Sequence, residues 1–485
     1  MSVPGFEEQR VEALQLQPVE PEANVALEER AAYRIGARTR RRQLQNHVRF
    51  RGLVNVSLRA TADEVATTAA ASTLWDVRLR STKAFQYKGG MKRILFAWEL
   101  GANLGHLARD IPVAERLRAQ GHDIMFVVKD VAMAERLLPL RGFSFVQAPV
   151  APLPKRAEAP ANYSEMLMAA GYGDSSSLGG RVQAWAALFK LHGSQVVVIN
   201  HAPTALLAAR SVGLPTVLTC IGFEVPPQVD PLPSIRPWER TTQERLQAAD
   251  TFVLRRINGI LKQYGRPSLK RVASLFEGIP TLFTTFAELD HYGARADGQY
   301  VGMFSAQGDA EDRSWPDAGG ARVFAYLRPT VPGFESMLGA MRDADVSAIC
   351  VVPGIANDVA DQYRSPSLQI VTHPIALGPI LRRAALAVVY GTGTMSDALL
   401  AGVPLLMVPQ VVEQALMAER IETLGAGVLW HAPRTPASAG AILQSALANT
   451  DLRRAARMFA DKYRDFSPSR AADHVSECIA RAAMA

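Results

Sequence analysis

Two histidines at strand ends and one glycine-rich turn are the parts of this sequence whose residue types and spacing could do chemistry. Glu99-Leu-Gly-Ala-Asn-Leu-Gly105-His106 follows the apolar run Ile94–Trp98. An imidazole there, with an unperturbed pKa near 6.5, suits general-base work on a hydroxyl, although a histidine in such a turn also serves as a hydrogen-bonded structural residue. A second run, Val196-Val-Val-Ile-Asn200-His201-Ala-Pro203, delivers an amide and another imidazole at a strand end. Further on stands Tyr390-Gly391-Thr392-Gly393-Thr394-Met-Ser-Asp397. Glycines at a strand–helix junction let backbone approach an anion, and the amides and helix dipole at Thr394–Ser396 would favour a phosphate such as a diphosphate leaving group. Asp397 could accept hydrogen bonds from ribose hydroxyls, and Glu413-Gln414 at the next strand end could hold sugar hydroxyls by paired acceptor and donor contacts.

The elements that must position these residues alternate regularly from Met91 onward. Strand Ile94–Trp98, a helix over about 108–120 and strand Asp123–Val128 form a βαβ unit of about 30 residues, which implies parallel strands and a right-handed crossover. Gln195–Ile199, helix Thr204–Val212 and Pro215–Cys220 continue it. The polar, turn-rich segment Ser305–Arg322 reads as a linker. Beyond it the alternation restarts with strands Val323–Leu327, Val346–Val352, Leu368–Thr372, Leu386–Val389 and Leu405–Val408. The helices between them are expected at Gly333–Met341, Gly378–Ala384, Met395–Ala401 and Gln414–Leu424, with Ser438–Leu447 and Asp451–Phe466 closing the unit. The fold class is therefore α/β, two doubly wound Rossmann-like domains facing across a cleft, with ligands outside the carboxyl ends of the strands. The expected divisions are an N-terminal extension over 1–90, a first domain over 91–310, a second over 311–466 and a C-terminal helix over 467–485.

The segment from Tyr390 to Pro404, with Glu413-Gln414 and Gly425, resembles the donor-binding motif of the family 1, nucleotide-sugar-dependent glycosyltransferases of GT-B fold, and the resemblance runs over most of Met91–Phe466. Gly391, Gly393, Thr394, Asp397, Gly402-Val403-Pro404 and Glu413-Gln414 match that family's glycine-rich loop, ribose-binding acid, Gly-Val-Pro turn and sugar-binding pair. Gly105-His106 resembles its N-terminal motif, where the histidine is the general base. The resemblance implies an inverting, metal-independent, hexosyltransferase-like enzyme of secondary metabolism, with a UDP- or dTDP-linked sugar as co-substrate and no cofactor. It implies His106, Asn200 and His201 as catalytic residues and His373, Tyr390, Gly391, Thr392, Gly393, Thr394, Asp397, Glu413 and Gln414 as donor-binding ones, His373 falling where the family has its nucleobase loop. Two positions depart from the pattern. Val389 stands where the family has a diphosphate-touching histidine, with Tyr390 next to it either donating to a phosphate or packing at the strand end. Asn200 stands where an acid orients the base, so Asn200→Asp is expected to restore that pair. These departures keep a catalytically inactive sugar-nucleotide-binding partner as an alternative, beside a sugar-nucleotide epimerase of the same architecture.

The chain has 485 residues, 48% hydrophobic and 20% charged, with three cysteines far apart. That composition disfavours disorder, a disulfide framework and a four-cysteine zinc site, and fits a reducing cytoplasm. Nine arginines and no acid lie between Arg30 and the end of Arg59, within the poorly periodic first 90 residues. Such a run is ordinarily a solvated arm; nucleic acid is a disfavoured partner, and peripheral membrane contact and oligomeric state stay open. Asp343-Ala-Asp345 matches an Asp-x-Asp metal pattern but lies between a helix end and a strand start, where acids mark a solvated turn. No Ser-His-Asp order, His-Glu-x-x-His or phosphate-loop lysine motif is present. Proline, Trp238 and apolar residues in Ile221–Glu239, one of two expected loops with Pro152–Gly180, favour an apolar acceptor.

Overall fold

The computed structural model describes residues 90–101, 104–152, 159–306, 311–431 and 434–484. The expected extension over 1–90, with its arginine run, lies outside the described residues except for Gly90.

The first sheet begins with β1 (Arg93–Trp98), helix α1 (Gly105–Ala119), β2 (Asp123–Val128), helix α2 (Val131–Leu137) and β3 (Ser144–Gln147). It continues through α3 (Tyr163–Leu167), α4 (Ser175–His192), β4 (Val196–Asn200), α5 (Pro203–Val212), β5 (Thr216–Cys220), α6 (Gln243–Gln263), β6 (Thr281–Phe283) and β7 (Gln299–Tyr300). Its seven strands run parallel in the order β3-β2-β1-β4-β5-β6-β7. Helices cover both faces of a parallel sheet, so its strands read as unbroken apolar runs. Every residue of β4 is buried.

The second sheet holds β8 (Ala321–Tyr326), α7 (Phe334–Asp343), β9 (Val346–Val351), α8 (Asn357–Tyr363), β10 (Leu368–Val371), α9 (Leu377–Leu381), β11 (Leu386–Val389), α10 (Thr392–Leu400), β12 (Leu405–Met407), α11 (Val412–Thr423) and β13 (Gly427–Leu429). Its six parallel strands follow the order β10-β9-β8-β11-β12-β13. Helices α12 (Pro436–Ala448) and α13 (Thr450–Lys462) close this half. The last helix, α14 (Pro468–Ala482), returns to the first sheet and packs on α1, where Arg116 bonds Asp473 and, at 2.8 Å, the Ser469 hydroxyl. From Gly90 on, the described residues belong to one compact unit.

In both sheets the strand order reverses beside the first strand, between β1 and β4 and between β8 and β11. At such switch points the flanking helices diverge to opposite faces and leave a crevice at the carboxyl ends. Register places Trp98 beside Asn200 and Tyr326 beside Val389, so each crevice is lined by the residues that follow these pairs.

Three local expectations change. Helix α1 starts at Gly105, three residues before the expected start, so His106 sits in its first turn and not in a loop. Helix α10 likewise starts at Thr392, with Gly391 before it and Met395 N already donating to Gly391 O at 3.0 Å. Its unpaired amides are therefore those of Thr392, Gly393 and Thr394, in place of Thr394–Ser396. Pro152–Gly180 is not all loop: Asn162 caps α3, a π-turn spans Met168–Tyr172, and Asp174 caps α4. The acid pair behaves as a solvated turn, with Asp343 exposed and paired to Arg342 at 2.7 Å. Among the described residues no helix is long and apolar enough to cross a membrane.

Candidate functional site

At the first crevice, His106 faces the end of β4. Its Nδ1 lies 2.8 Å from Asn200 Oδ1. Asn200 is wholly buried, and its Nδ2 donates to His106 O at 3.0 Å and to Asp110 Oδ2 at 2.8 Å. The His106 carbonyl can only accept, so the amide has one workable orientation and turns its oxygen to His106. Arg109, which can only donate, bonds that same oxygen and confirms the assignment. His106 Nδ1 must then carry a hydrogen, which leaves Nε2 with the lone pair of a base. Trp98 stacks on the ring, centroids 5.2 Å apart. On the other side the ring lies against Gly101, where a Cβ would stand 2.2 Å from Nε2 and φ is +86°. Both facts require glycine.

The acid nearest the imidazole comes from the end of β5. Glu224 ends a short 3-10 turn, Gly222–Glu224, and is pinned by the Ile221 amide to Oε2 at 2.8 Å, while its own carbonyl accepts from Tyr163 at 3.1 Å. Its Oε1 lies 3.6 Å from His106 Nδ1, and Arg109 Nη2 bonds both carboxylate oxygens at 3.1 and 3.0 Å. Arg109 also reaches Thr284 just after β6, so one buried guanidinium joins the ends of three strands. This carboxylate was not singled out from sequence. The available signal was Ile-Gly-Phe-Glu directly after the apolar run Thr216–Cys220.

Burial works to raise the Glu224 carboxyl, but Arg109, His106, His201 and the Ile221 amide outweigh it and hold the group below its usual range. Burial pushes His106 down; Glu224 opposes this, Arg109 adds to it, and the Asn200 bond and Glu413 oppose it. Position in the first helical turn works in the same direction as burial. Asp110 is pushed up to about 7 by burial, against Arg109 and the Asn200 bond.

His201 follows Asn200 directly and, among the described residues, is the one non-glycine with positive φ, +45°. Its ring centroid is 6.2 Å from those of His106, Tyr163 and Phe223, and its buried Nε2 has no partner. Burial lowers it to about 3, so it is neutral throughout the working range. Ligating atoms of His106, His201 and Glu224 lie within 4.8 Å of one another, a spacing a divalent cation could bridge. The Arg109 guanidinium already bonded to that carboxylate opposes a dication there.

At the second crevice, Val389 is fully buried in the core. Tyr390 is 7% exposed and packs as a strand-end aromatic, 6.2 Å from the Tyr326 ring. Arg328, two residues beyond β8, lies 5.7 Å over the Tyr390 ring, and its charge works against the rise that burial gives the Tyr390 hydroxyl. Among the described residues no carboxylate pairs with Arg328. A Cβ on Gly391 or Gly393 would meet nothing within 4 Å, so the space before the α10 amides is open. The Asp397 carboxyl group, one turn in, accepts no hydrogen bond from the described residues, and burial raises it to about 6.

Glu413 faces the first domain, 3.6 Å from Nε2 of the buried His291, and its Oε1 has no hydrogen-bond partner. Gln414 is buried and its carbonyl accepts from Gln410 N at 2.9 Å, so only its amino group remains for a ligand. His373 is exposed and 2.7 Å from the likewise exposed Glu311. Between the halves, Phe223, Ile235 and Trp238 pack with Met166 and Tyr292 against Leu416 and Val412.

No family model matches the chain. A PGL/p-HBAD biosynthesis glycosyltransferase of Mycobacterium tuberculosis (strain ATCC 25177 / H37Ra) is 25% identical over 400 residues, covering 77% of this chain and 89% of the relative. Among solved structures, the glycosyltransferase VinC in complex with dTDP superposes with a TM-score of 0.60 at 19% identity, over 81% of this chain and 99% of VinC. CalG4, the calicheamicin glycosyltransferase, gives 0.61 at 19% identity over 81% of this chain and 99% of its own. Two switch-point crevices in paired parallel sheets, and this shared length, make the chain a glycosyltransferase of GT-B fold, similar to the family 1, nucleotide-sugar-dependent enzymes.

Proposed function

We propose that the chain is an inverting transferase that moves a sugar from a uridine or thymidine diphosphate sugar to a hydroxyl of a small apolar acceptor. The observation that carries this reading is the fixed tautomer of His106: Asn200 Oδ1 accepts from Nδ1, which leaves Nε2 to take the acceptor proton. In the step, the acceptor O–H proton passes to Nε2. The oxygen forms a bond to the anomeric carbon, and the bond from that carbon to the diphosphate oxygen breaks on the opposite face. The depressed pKa of His106 keeps the ring neutral, hence able to accept, into mildly acidic solution.

On the donor side, the amides of Thr392, Gly393 and Thr394 would meet the diphosphate. Arg328 supplies the positive charge that the absence of a loop histidine would otherwise remove. Asp397, without a protein partner, suits the ribose hydroxyls. Glu413 and the Gln414 amino group suit the sugar, and the similarity to VinC, solved with dTDP, supports a nucleoside diphosphate here. His201 is too weakly basic for the proton and lines the acceptor side with Phe223 and Tyr163. The apolar cluster around Phe223, Ile235 and Trp238 supports an apolar acceptor.

The test is incubation of the full chain with UDP-glucose and dTDP-glucose and a panel of 1-naphthol, 4-methylumbelliferone, long-chain alcohols and free sugars. Products are read by mass spectrometry and their anomeric configuration by NMR. An inverted glycoside on an apolar acceptor supports the reading, and transfer only to free sugars overturns its acceptor half. The burial of Val389 where the family has a histidine favours the second reading, a non-catalytic sugar-nucleotide binder. Binding of both nucleotide sugars with no transfer to any acceptor would establish it.

A further inference from the structure

The end of β5 carries a carboxylate that the general-base reading of His106 does not use, and this inference rests on that reading. We propose that Glu224 is the positioning acid of the reaction: it replaces, from the next strand over, the acid missing at Asn200, and stabilises the imidazolium formed at His106.

The two tasks of the absent acid are divided between two residues. Asn200 fixes the tautomer, because its oxygen accepts from Nδ1 at 2.8 Å, but an amide brings no charge. Glu224 brings the charge, 3.6 Å from the same nitrogen. That separation is too long for a hydrogen bond and short enough for a strong field in a buried site. When the acceptor proton arrives on Nε2, the ring carries a positive charge whose nearest anion is Glu224.

Other charged and titratable groups face His106 from every side. Arg109 and Asp110 come from α1, His201 from the turn after β4, and Glu413 from α11. Lys129, after β2, donates to Gly101 O at 2.6 Å. Asp110 and Arg109 are joined through Asn200, His201 is neutral, and Glu413 acts on the ring more weakly, which leaves Glu224 as the carboxylate whose charge bears most on His106. Arg109 shares that carboxylate and tempers its field. The pair therefore sets the basicity of His106 from both directions: removing the acid should lower it, and removing the guanidinium should raise it.

Histidine titration by NMR in the full chain labelled at histidine Cε1, with His106 assigned through His106→Gln, reads this without any substrate. Glu224→Gln is expected to lower the His106 midpoint by roughly one unit. Glu224→Asp, which keeps the charge, should restore much of it. Arg109→Met should raise the midpoint. A midpoint unchanged or raised in folded Glu224→Gln overturns the proposal. Should that variant not fold, Arg109→Met decides, and an unchanged or lowered midpoint there overturns it. With the donor and acceptor that the parent turns over, Glu224→Gln should lower kcat about ten- to a hundredfold, part of the ~10²–10⁴ contributed by a positioned base, with donor KM unchanged. A loss confined to KM contradicts the assignment. A parent that never transfers sugar would defeat the transferase reading while leaving the titration result to stand by itself.

Discussion

Asn200→Asp separates what the structure implies from what family resemblance alone implies. Resemblance expects the acid to complete a histidine–acid pair and raise transfer. In the structure, the atom replaced is Nδ2, which donates to Asp110 Oδ2 at 2.8 Å and to His106 O at 3.0 Å. A carboxylate oxygen in its place loses a bond to a charged acceptor, worth about 1.5–3 kcal/mol, and one to a neutral acceptor, worth about 0.5–1.5 kcal/mol. It also sets two buried carboxyls within contact distance, where only one can ionise. Asp110 already stands at about 7, and loss of its donor raises it further. The folded variant thus keeps a proton that the unfolded chain releases above about pH 4. A raised folded pKa means stability present at low pH and lost as pH rises, and in the variant this loss continues beyond pH 7. Thermal melts of parent and variant should differ by roughly 5–10 °C at pH 8. At pH 5 the gap should be smaller, because holding the shared proton against an unfolded chain that releases it at about pH 4 costs less there than at pH 8. The proton neutralises the added charge, so transfer at pH 7–8 should not rise. A variant that melts with the parent at pH 8 and transfers faster would refute the amide orientation and with it the fixed tautomer of His106.

His106→Ala should leave the melting shift induced by UDP-glucose or dTDP-glucose intact while transfer falls by ~10²–10⁴. Gly101→Ala should abolish transfer with the protein still folded, since the new methyl would stand 2.2 Å from Nε2 and displace the ring; activity near that of the parent would place His106 elsewhere. Arg328→Ala should weaken nucleotide-sugar binding by about 1.5–3 kcal/mol and flatten its salt dependence, measured by calorimetry at two ionic strengths. Asp397, raised to about 6, is a charged acceptor only above that pH, so donor affinity should fall as pH drops through 6 in the parent and be flat in Asp397→Ala.

Most of the two sheets was legible because parallel strands buried on both faces must be apolar throughout. Asp123–Val128 and Leu386–Val389 have the bounds their sequence implies. Helix starts were less legible. Gly105 and Thr392 begin helices without a side-chain cap, so no Ser, Asp or Asn before the first apolar residue announces them. The short edge strands Ser144–Gln147 and Gln299–Tyr300 carry too few buried residues to show a pattern. Helix Gln243–Gln263 did carry one: Thr242 caps it, and Leu246, Ala249, Val253, Ile257, Ile260 and Leu261 recur at helical spacing on its buried face.

The same reasoning explains the limits at the site. His106, Asn200 and His201 were visible because each stands at or in the turn after the end of an apolar run, His106 eight residues beyond Trp98, and position at a strand's carboxyl end can be counted along the chain. Glu224 meets that criterion too, yet a count along the chain cannot say which of three neighbouring strand ends supplies the charge beside an imidazole. That depends on β4 lying between β1 and β5, on Gly222 allowing the turn to close against Asp290, and on Arg109 drawing the carboxylate inward. An asparagine at the end of β4 reads in sequence as a lost acid. In the structure it holds the Asp110 carboxyl and the His106 carbonyl with one amino group and the imidazole with its oxygen, which a carboxylate there could not do. Once Asp110 occupies that corner, the negative charge for His106 must come from a different strand, and Glu224 is the carboxylate within reach.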